Sequence, residues 1–186
     1  MHGRVFLLVT ASVAACGPIQ PFIADTARMP LNALGSNADQ DVYAANLAAW
    51  ALSDPARTFG RPIEAARAVA ALDFMAGQVN TNPRWQSISA ITQQMMLQGR
   101  AEMRTAIGVA PGATSQQVVD AMVAAANALA AGDQPAALRV LGPPLFPAGA
   151  DKTLAVLNNL PYVRSANVAT LRLSNEVFDG RSRDLF

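Results

Sequence analysis

The chain has 186 residues, enough for one domain or one domain with a tail, and enough to bury a core without a metal or disulfide staple. Hydrophobic residues make up 52% and charged residues 15%, below the roughly 25% of an average soluble domain, which excludes a disordered chain and points to a packed interior. Formal net charge is +1 with no basic or acidic block, so the clustered positive footprint of a nucleic-acid binder is missing and no nucleic-acid partner is expected.

The N-terminus reads as an export signal. Arg4 is followed by Val5–Ala15, an uncharged run containing Phe6, Leu7, Leu8 and Val9. A charged start, an apolar stretch of about 7–15 residues and small residues at its end describe a secretory signal. The run is too short to span a membrane, which takes about 20 residues. Val13-Ala14-Ala15-Cys16 resembles the bacterial lipobox, in which a branched residue and two small ones precede the lipid-bearing cysteine. The resemblance covers this segment alone. It implies cleavage after Ala15, lipid attachment at Cys16, and a domain held on the cell envelope. Gly17 stands where an aspartate retains many lipoproteins in the inner membrane. The resemblance therefore implies the outer membrane, with the domain facing the periplasm.

Removal of residues 1–15 decides much of the chemistry. His2 is the only histidine and Cys16 the only cysteine. The processed chain has no histidine and its one thiol carries lipid. Histidine–cysteine zinc sites, histidine-based triads and haem ligation by histidine are excluded on that reading. No catalytic residue, cofactor or metal is expected.

The remaining chain reads as all-α, a single irregular bundle of about six or seven helices over 36–180, with a polar tail at 181–186. Gly17–Gly35 holds Pro18, Pro21 and Pro30, lacks a helical period, and is expected to be a tether spanning roughly 25 Å. Phe22 and Ile23 are its candidates for docking on the domain. Ser36 and Asp39 are spaced as an N-terminal capping pair. The helix they open places Tyr43, Leu47 and Trp50 on one face and stops near Asp54-Pro55. Pro62 suits the first turn of a second helix running to Val79. Asn82 is the expected cap of a third, continuous to Ile107, with Gly108 at the C-terminal glycine position. Thr114 and Gln117 form a capping box for a fourth, which closes at Gly132. Asp133 and Pro135 start a short fifth helix. Gly142–Gly149 is an irregular proline-rich loop, and helices over Asp151–Leu160 and Pro161–Phe178 complete the bundle before Asp179-Gly180 stops it. Ala130-Ala131-Gly132-Asp133 is similar to a tetratricopeptide turn, a likeness that covers one hairpin, since no 34-residue repeat follows.

The faces identify candidate interior residues. At 100° per residue, Trp85, Ile88, Ile91, Thr92, Met95, Met96, Gly99, Met103 and Ile107 share one arc of about 160°. Arg100 and Arg104 fall on the opposite, polar side with the glutamines. Gly99 at the centre of the apolar arc implies a close crossing by another helix, because glycine costs about 1 kcal/mol against alanine in a helix. The second helix is apolar nearly all round, the mark of a central helix. Its Asp73 is a candidate buried carboxylate, expected to meet an arginine or a helix N-terminus. Met75, Met95, Met96, Met103 and Met122 fit either core packing or thioether ligation of copper(I), and packing is preferred. The Pro143–Pro147 loop is either a docking surface or a cover for the end of the bundle.

Together these readings predict a non-enzymatic, membrane-anchored lipoprotein whose helical domain engages a protein partner of the cell envelope. The alternative is a carrier of an apolar ligand between helices. An enzyme working through carboxylate or serine ranks third.

Overall fold

The computed structural model describes residues 25–31, 33–34 and 39–183, with side chains to Gly180. The lipobox with Cys16, and with it Phe22, Ile23 and Ser36, lies outside the described residues. Among those described, the chain is an all-helical bundle: α1 (Gln40–Ser53), α2 (Pro62–Thr81), α3 (Ala90–Ala106), α4 (Ser115–Ala130), α5 (Gln134–Val140), α6 (Ala150–Asn158) and α7 (Arg164–Arg183), with 3-10 turns at Pro55–Arg57 and Pro83–Trp85. Helices α1, α2, α3 and α7 form a ring in which each packs on the next, while α4 lies along α2, α5 on α4, and α6 against α2 and α5.

Helix α2 is central, as its all-round apolarity predicts. Ala65, Ala66, Ala68, Ala70, Ala71 and Ala76 are fully buried, and such short side chains let neighbouring helix axes approach closely on several sides at once. The same rule corrects the expected face of α1. Its buried surface is Val42, Ala44, Ala45, Ala48, Ala49, Ala51 and Leu52, which admits both α2 and α7. Tyr43 and Leu47 pack only at the core's margin. Trp50 is 45% exposed, with the Arg57 guanidinium 5.2 Å from its ring centroid.

The expected third helix is broken. Asn82 caps the 3-10 turn Pro83–Trp85, and a second cap, Ser89, opens α3 by accepting from the Thr92 N–H at 3.3 Å. Trp85 and Ile88 are buried from the turn rather than from the helix, whereas Ile91 is 63% exposed. A single helical wheel carried through the break misplaces Ile91. Gly108 ends α3 where expected, and the Thr114–Gln117 capping box of α4 has both of its reciprocal bonds. Helix α7 does not stop at Asp179-Gly180 but continues to Arg183. The Gly142–Gly149 loop is a cover: Phe146 is fully buried, and the Leu145 carbonyl accepts from the Ala110 N–H at 2.9 Å. Met75, Met96, Met103 and Met122 are core side chains on three different helices.

Residues 25–34 are not a loose tether. Ala27, Met29, Ala33 and Leu34 are buried in the main core, the Gln78 side-chain amide donates to the Ala27 carbonyl at 2.9 Å, and Arg28 exchanges two backbone hydrogen bonds with the Gln116 side chain. Pro30 does not prevent the strap from packing.

Gly99 marks the crossing its position implies. Helices α3 and α7 run antiparallel, with Ser89 beside Glu176 and Glu102 beside Ser165. A Cβ on Gly99 would lie 2.8 Å from the Cα and 3.1 Å from the nitrogen of Ala166. These are backbone atoms, so relief requires α7 to move. Overpacking costs about 1–3 kcal/mol against about 1 kcal/mol of helix propensity gained. Gly99→Ala is expected to lose about 1 kcal/mol in urea denaturation of the full chain, and Gly99→Leu about 3 kcal/mol or more. A Gly99→Leu protein as stable as wild type would contradict the crossing.

Candidate functional site

Asp73 is 2% exposed on the central helix, and an unpaired carboxylate there would carry a large desolvation penalty. Arg104 supplies the partner. Its Nε and Nη2 donate to the two Asp73 oxygens, each at 2.7 Å, the bidentate geometry that makes arginine–carboxylate pairs strong. The remaining donors of Arg104 reach the turn before α4: Nη1 donates to the Ala113 carbonyl at 3.0 Å and Nη2 to Ser115 Oγ at 2.9 Å. Of the two partners expected for Asp73, the arginine is the one it meets; the α4 N-terminus reaches it only through Arg104.

Three further groups complete the cluster. Asp25 on the strap lies 3.2 Å from Arg104 Nη2 and 3.4 Å from Arg100 Nη1. Arg100 Nη1 also donates to the Asp25 carbonyl at 3.0 Å and to Ser115 Oγ at 2.8 Å. The Ser115 N–H, in the first turn of α4, donates to Asp25 Oδ1 at 2.6 Å. That amide is one of the donors a helix start leaves without an internal partner, and a carboxylate is favoured there by the helix dipole. Burial pushes the Asp25 carboxyl up, but the Ser115 amide and the two guanidiniums outweigh it and hold the group below its ordinary value of 3.8. Burial pulls the Arg100 guanidinium below its ordinary value. Burial acts the same way on Arg104, where the Asp73 carboxylate overcomes it and leaves the group raised.

Two smaller clusters also place a carboxylate at a helix start, one brought from a distant helix and one belonging to the cap itself. Glu176 of α7 accepts from the Ser89 N–H at 2.8 Å, from Ser89 Oγ at 2.9 Å and from Thr92 Oγ1 at 2.6 Å. Burial raises its carboxyl, but these bonds together hold it below 4.5. Asp39, the N-cap of α1, is paired with Arg84, whose hydrogen bond is the main cause holding the carboxyl below 3.8. Arg84 stacks 4.6 Å over the Trp85 ring, and Trp85 Nε1 donates to Asp41 at 3.1 Å.

Chemically, the central cluster is a lock. Asp73 is shielded from solvent with both oxygens engaged, and Ser115 Oγ accepts from two guanidiniums while donating to the Asp25 carbonyl at 3.4 Å. Among the described residues no group of three or more histidine, cysteine, aspartate or glutamate side chains is disposed to hold a metal ion. Arg100 and Arg104, assigned to the polar side of the third helix by periodicity, face inward instead. Their four-residue spacing on α3 and Asp73, the one acid in the interior of α2 beyond Glu64 in its first turn, were the available signals. Asp25, in a segment without periodicity, had none.

The surface offers a second candidate. Among the described residues, six of the eight large exposed apolar side chains, Trp50, Ile91, Tyr162, Val168, Leu171 and Phe178, lie on α1, on α3, on α7 or just before it. On α7, Val168, Leu171 and Phe178 follow one another at helical spacing on the side turned away from the ring. Ser174 Oγ donates to Asn46 Oδ1 at 2.8 Å, which sets the α1 stripe of Tyr43, Leu47 and Trp50 alongside. A partly open hollow between the end of α1 and the start of α7 measures about 10 Å³, room for about one water. No family model, curated protein or solved structure matches the chain.

Two outcomes follow from the cluster. Removing one partner of a buried ion pair costs about 3–5 kcal/mol, while replacing both by apolar groups is often neutral. Asp73→Ala is expected to lose about 3 kcal/mol in urea denaturation, and Asp73→Ala with Arg104→Met to recover most of it. A double variant no better than the single one would contradict the pairing. The lowered carboxyls of Asp25, Asp39 and Glu176 contribute stability present above their unfolded values and lost as pH falls through the folded ones. Stability is expected to hold above about pH 5 and to decline progressively below it, with a shallower decline in Asp25→Asn. An unchanged acid limb in that variant would remove Asp25 from the account.

Proposed function

We propose that this chain is a lipid-anchored envelope protein, attached through Cys16 and presenting the outer side of α7, with its flanks on α1 and α3, to a partner protein. The apolar α7 face carries this reading. Scattered exposed apolar residues are ordinary, but a contiguous group marks an interaction surface. The stripe of Val168, Leu171, Asn175 and Phe178 beside Tyr43, Asn46, Leu47 and Trp50 carries charge only at its margins, in Arg57 over the Trp50 ring and Arg164 at the start of α7, so the partner it fits presents a largely apolar helical surface. The larger hollows, about 690 Å³ along Ala90–Gln98 of α3 and about 510 Å³ beside Trp50 and Ile63, lie open on the surface rather than between helices, and so support a carrier less than the apolar face supports a partner. The lipobox resemblance and Gly17 support the outer membrane, and no helix among the described residues is long and apolar enough to cross a membrane.

Anchoring and docking are tested separately. Labelled palmitate is expected to enter the wild-type chain and not Cys16→Ser, which should accumulate as precursor. Normal maturation of Cys16→Ser would contradict lipidation. For docking, a photo-crosslinking residue replacing Leu171 in cells is expected to give one discrete adduct with a different protein. The same residue replacing exposed Lys152 on α6 should give none. An adduct of twice the chain's mass would make the partner a second copy, and no adduct from Leu171 would remove the face from consideration.

A further inference from the structure

The strap at residues 25–34 lies between the lipid-bearing Cys16 of the proposed function and the first helix, so whatever holds it sets the length of the anchor. We propose that the strap is a releasable latch, with the Asp25 carboxylate as its bolt and the cleft between α2, α3 and α4 as its seat. Latched, it holds the domain close to the membrane; released, it adds the strap's own length to the arm.

The seat is built for a backbone. A Cβ on Gly77 of α2 would lie 2.9 Å from Thr26 Cα and 3.0 Å from the Asp25 carbonyl oxygen, so α2 leaves out a side chain where the strap crosses. The Arg100 and Arg104 side chains, 13% and 17% exposed, flank Asp25, and the Ser115 amide faces its carboxylate. Arg104 keeps the bidentate Asp73 when the strap leaves, but Arg100 keeps only Ser115 Oγ among its hydrogen bonds. The seat therefore holds two guanidiniums against one carboxylate until Asp25 arrives and balances the charge. Beyond Asp25, Gln116 clamps both the N–H and the carbonyl of Arg28. The latch thus has an electrostatic end and a hydrogen-bonded end that can be cut separately.

The geometric consequence is large. Cys16 to Asp25 is nine residue steps, at most about 30 Å of chain at ~3.4 Å per residue. Releasing the strap as far as Asp39, the N-cap of α1, makes it twenty-three steps and about 80 Å. The domain's reach from the leaflet more than doubles, while Ala27, Met29, Ala33 and Leu34 leave the main core and uncover the surface they pack against.

This inference rests on the lipid-anchor reading, and the test separates the two. Trypsin cleavage after Arg28, in the full chain reconstituted on phosphatidylethanolamine–phosphatidylglycerol vesicles, reads the latch; flotation with those vesicles reads the anchor. Locally opened segments are cut in proportion to their open population. Cleavage at Arg28 is expected to rise about tenfold in Asp25→Asn, on the loss of charge-assisted bonds, and also to rise in Gln116→Ala, which leaves every charge in place. Far-UV circular dichroism and cleavage at Arg139 on α5 report whether the bundle itself stays folded. Arg28 cut as fast in wild type as in both variants, or cut only in step with Arg139, would overturn the latch. Failure to float with latch behaviour intact would overturn the anchor alone.

Discussion

A carboxylate on the one helix that is packed all round must find a cation, and most of the architecture around Asp73 follows from that requirement. Arg104 reaches it from α3 with two parallel hydrogen bonds, fixing the rotation of α3 against α2. Satisfying the rest of that guanidinium draws in the turn before α4 through Ala113 and Ser115, and Asp25 brings the strap. One buried charge thereby ties four stretches of chain that are distant in sequence. Each partner satisfies a group that another would leave unpaired, so the cluster is costly to break at any single point.

Small side chains provide the complementary constraint. The alanines of α1 and α2 let several helices share one centre, and the two buried glycines mark the tightest approaches, Gly77 to the strap and Gly99 to α7. Space of this kind lowers side-chain area in the core, and the long methionines and Phe146 fill the gaps that remain. The arrangement also explains where the large apolar residues went. With alanine required between α1 and its neighbours, Trp50 lies at the rim, and α7 carries Leu171 and Phe178 on its outer side.

The all-helical class, the centrality of α2, the Thr114–Gln117 cap, the Gly108 stop and the Gly99 crossing were legible because each rests on local chemistry or on the period within a single helix. The misreadings came from tertiary requirements. Arg100 and Arg104 look like surface residues on a wheel, and only the partner on α2 turns them inward. Ser89 interrupts the expected third helix because Glu176, eighty-seven residues away, completes its cap. Trp50 lost its expected place because aromatic bulk does not fit a three-helix contact. The strap was illegible because backbone packing into a glycine notch leaves no periodicity behind. Of the candidate site, Asp73 could be found as an isolated acid in an apolar helix, whereas Asp25 could not.

The Asp73–Arg104 pair holds the strap and the start of α4 together as one unit. Native-state hydrogen exchange on Arg104→Met measures this directly. The amides of Ser115 and Arg28, which donate to Asp25 and to Gln116, report on the two sides of the cluster. The account predicts that both lose protection together while the amides of α5 and α6 keep theirs. Retained protection at Ser115 and Arg28, or a uniform loss across all helices, would contradict it.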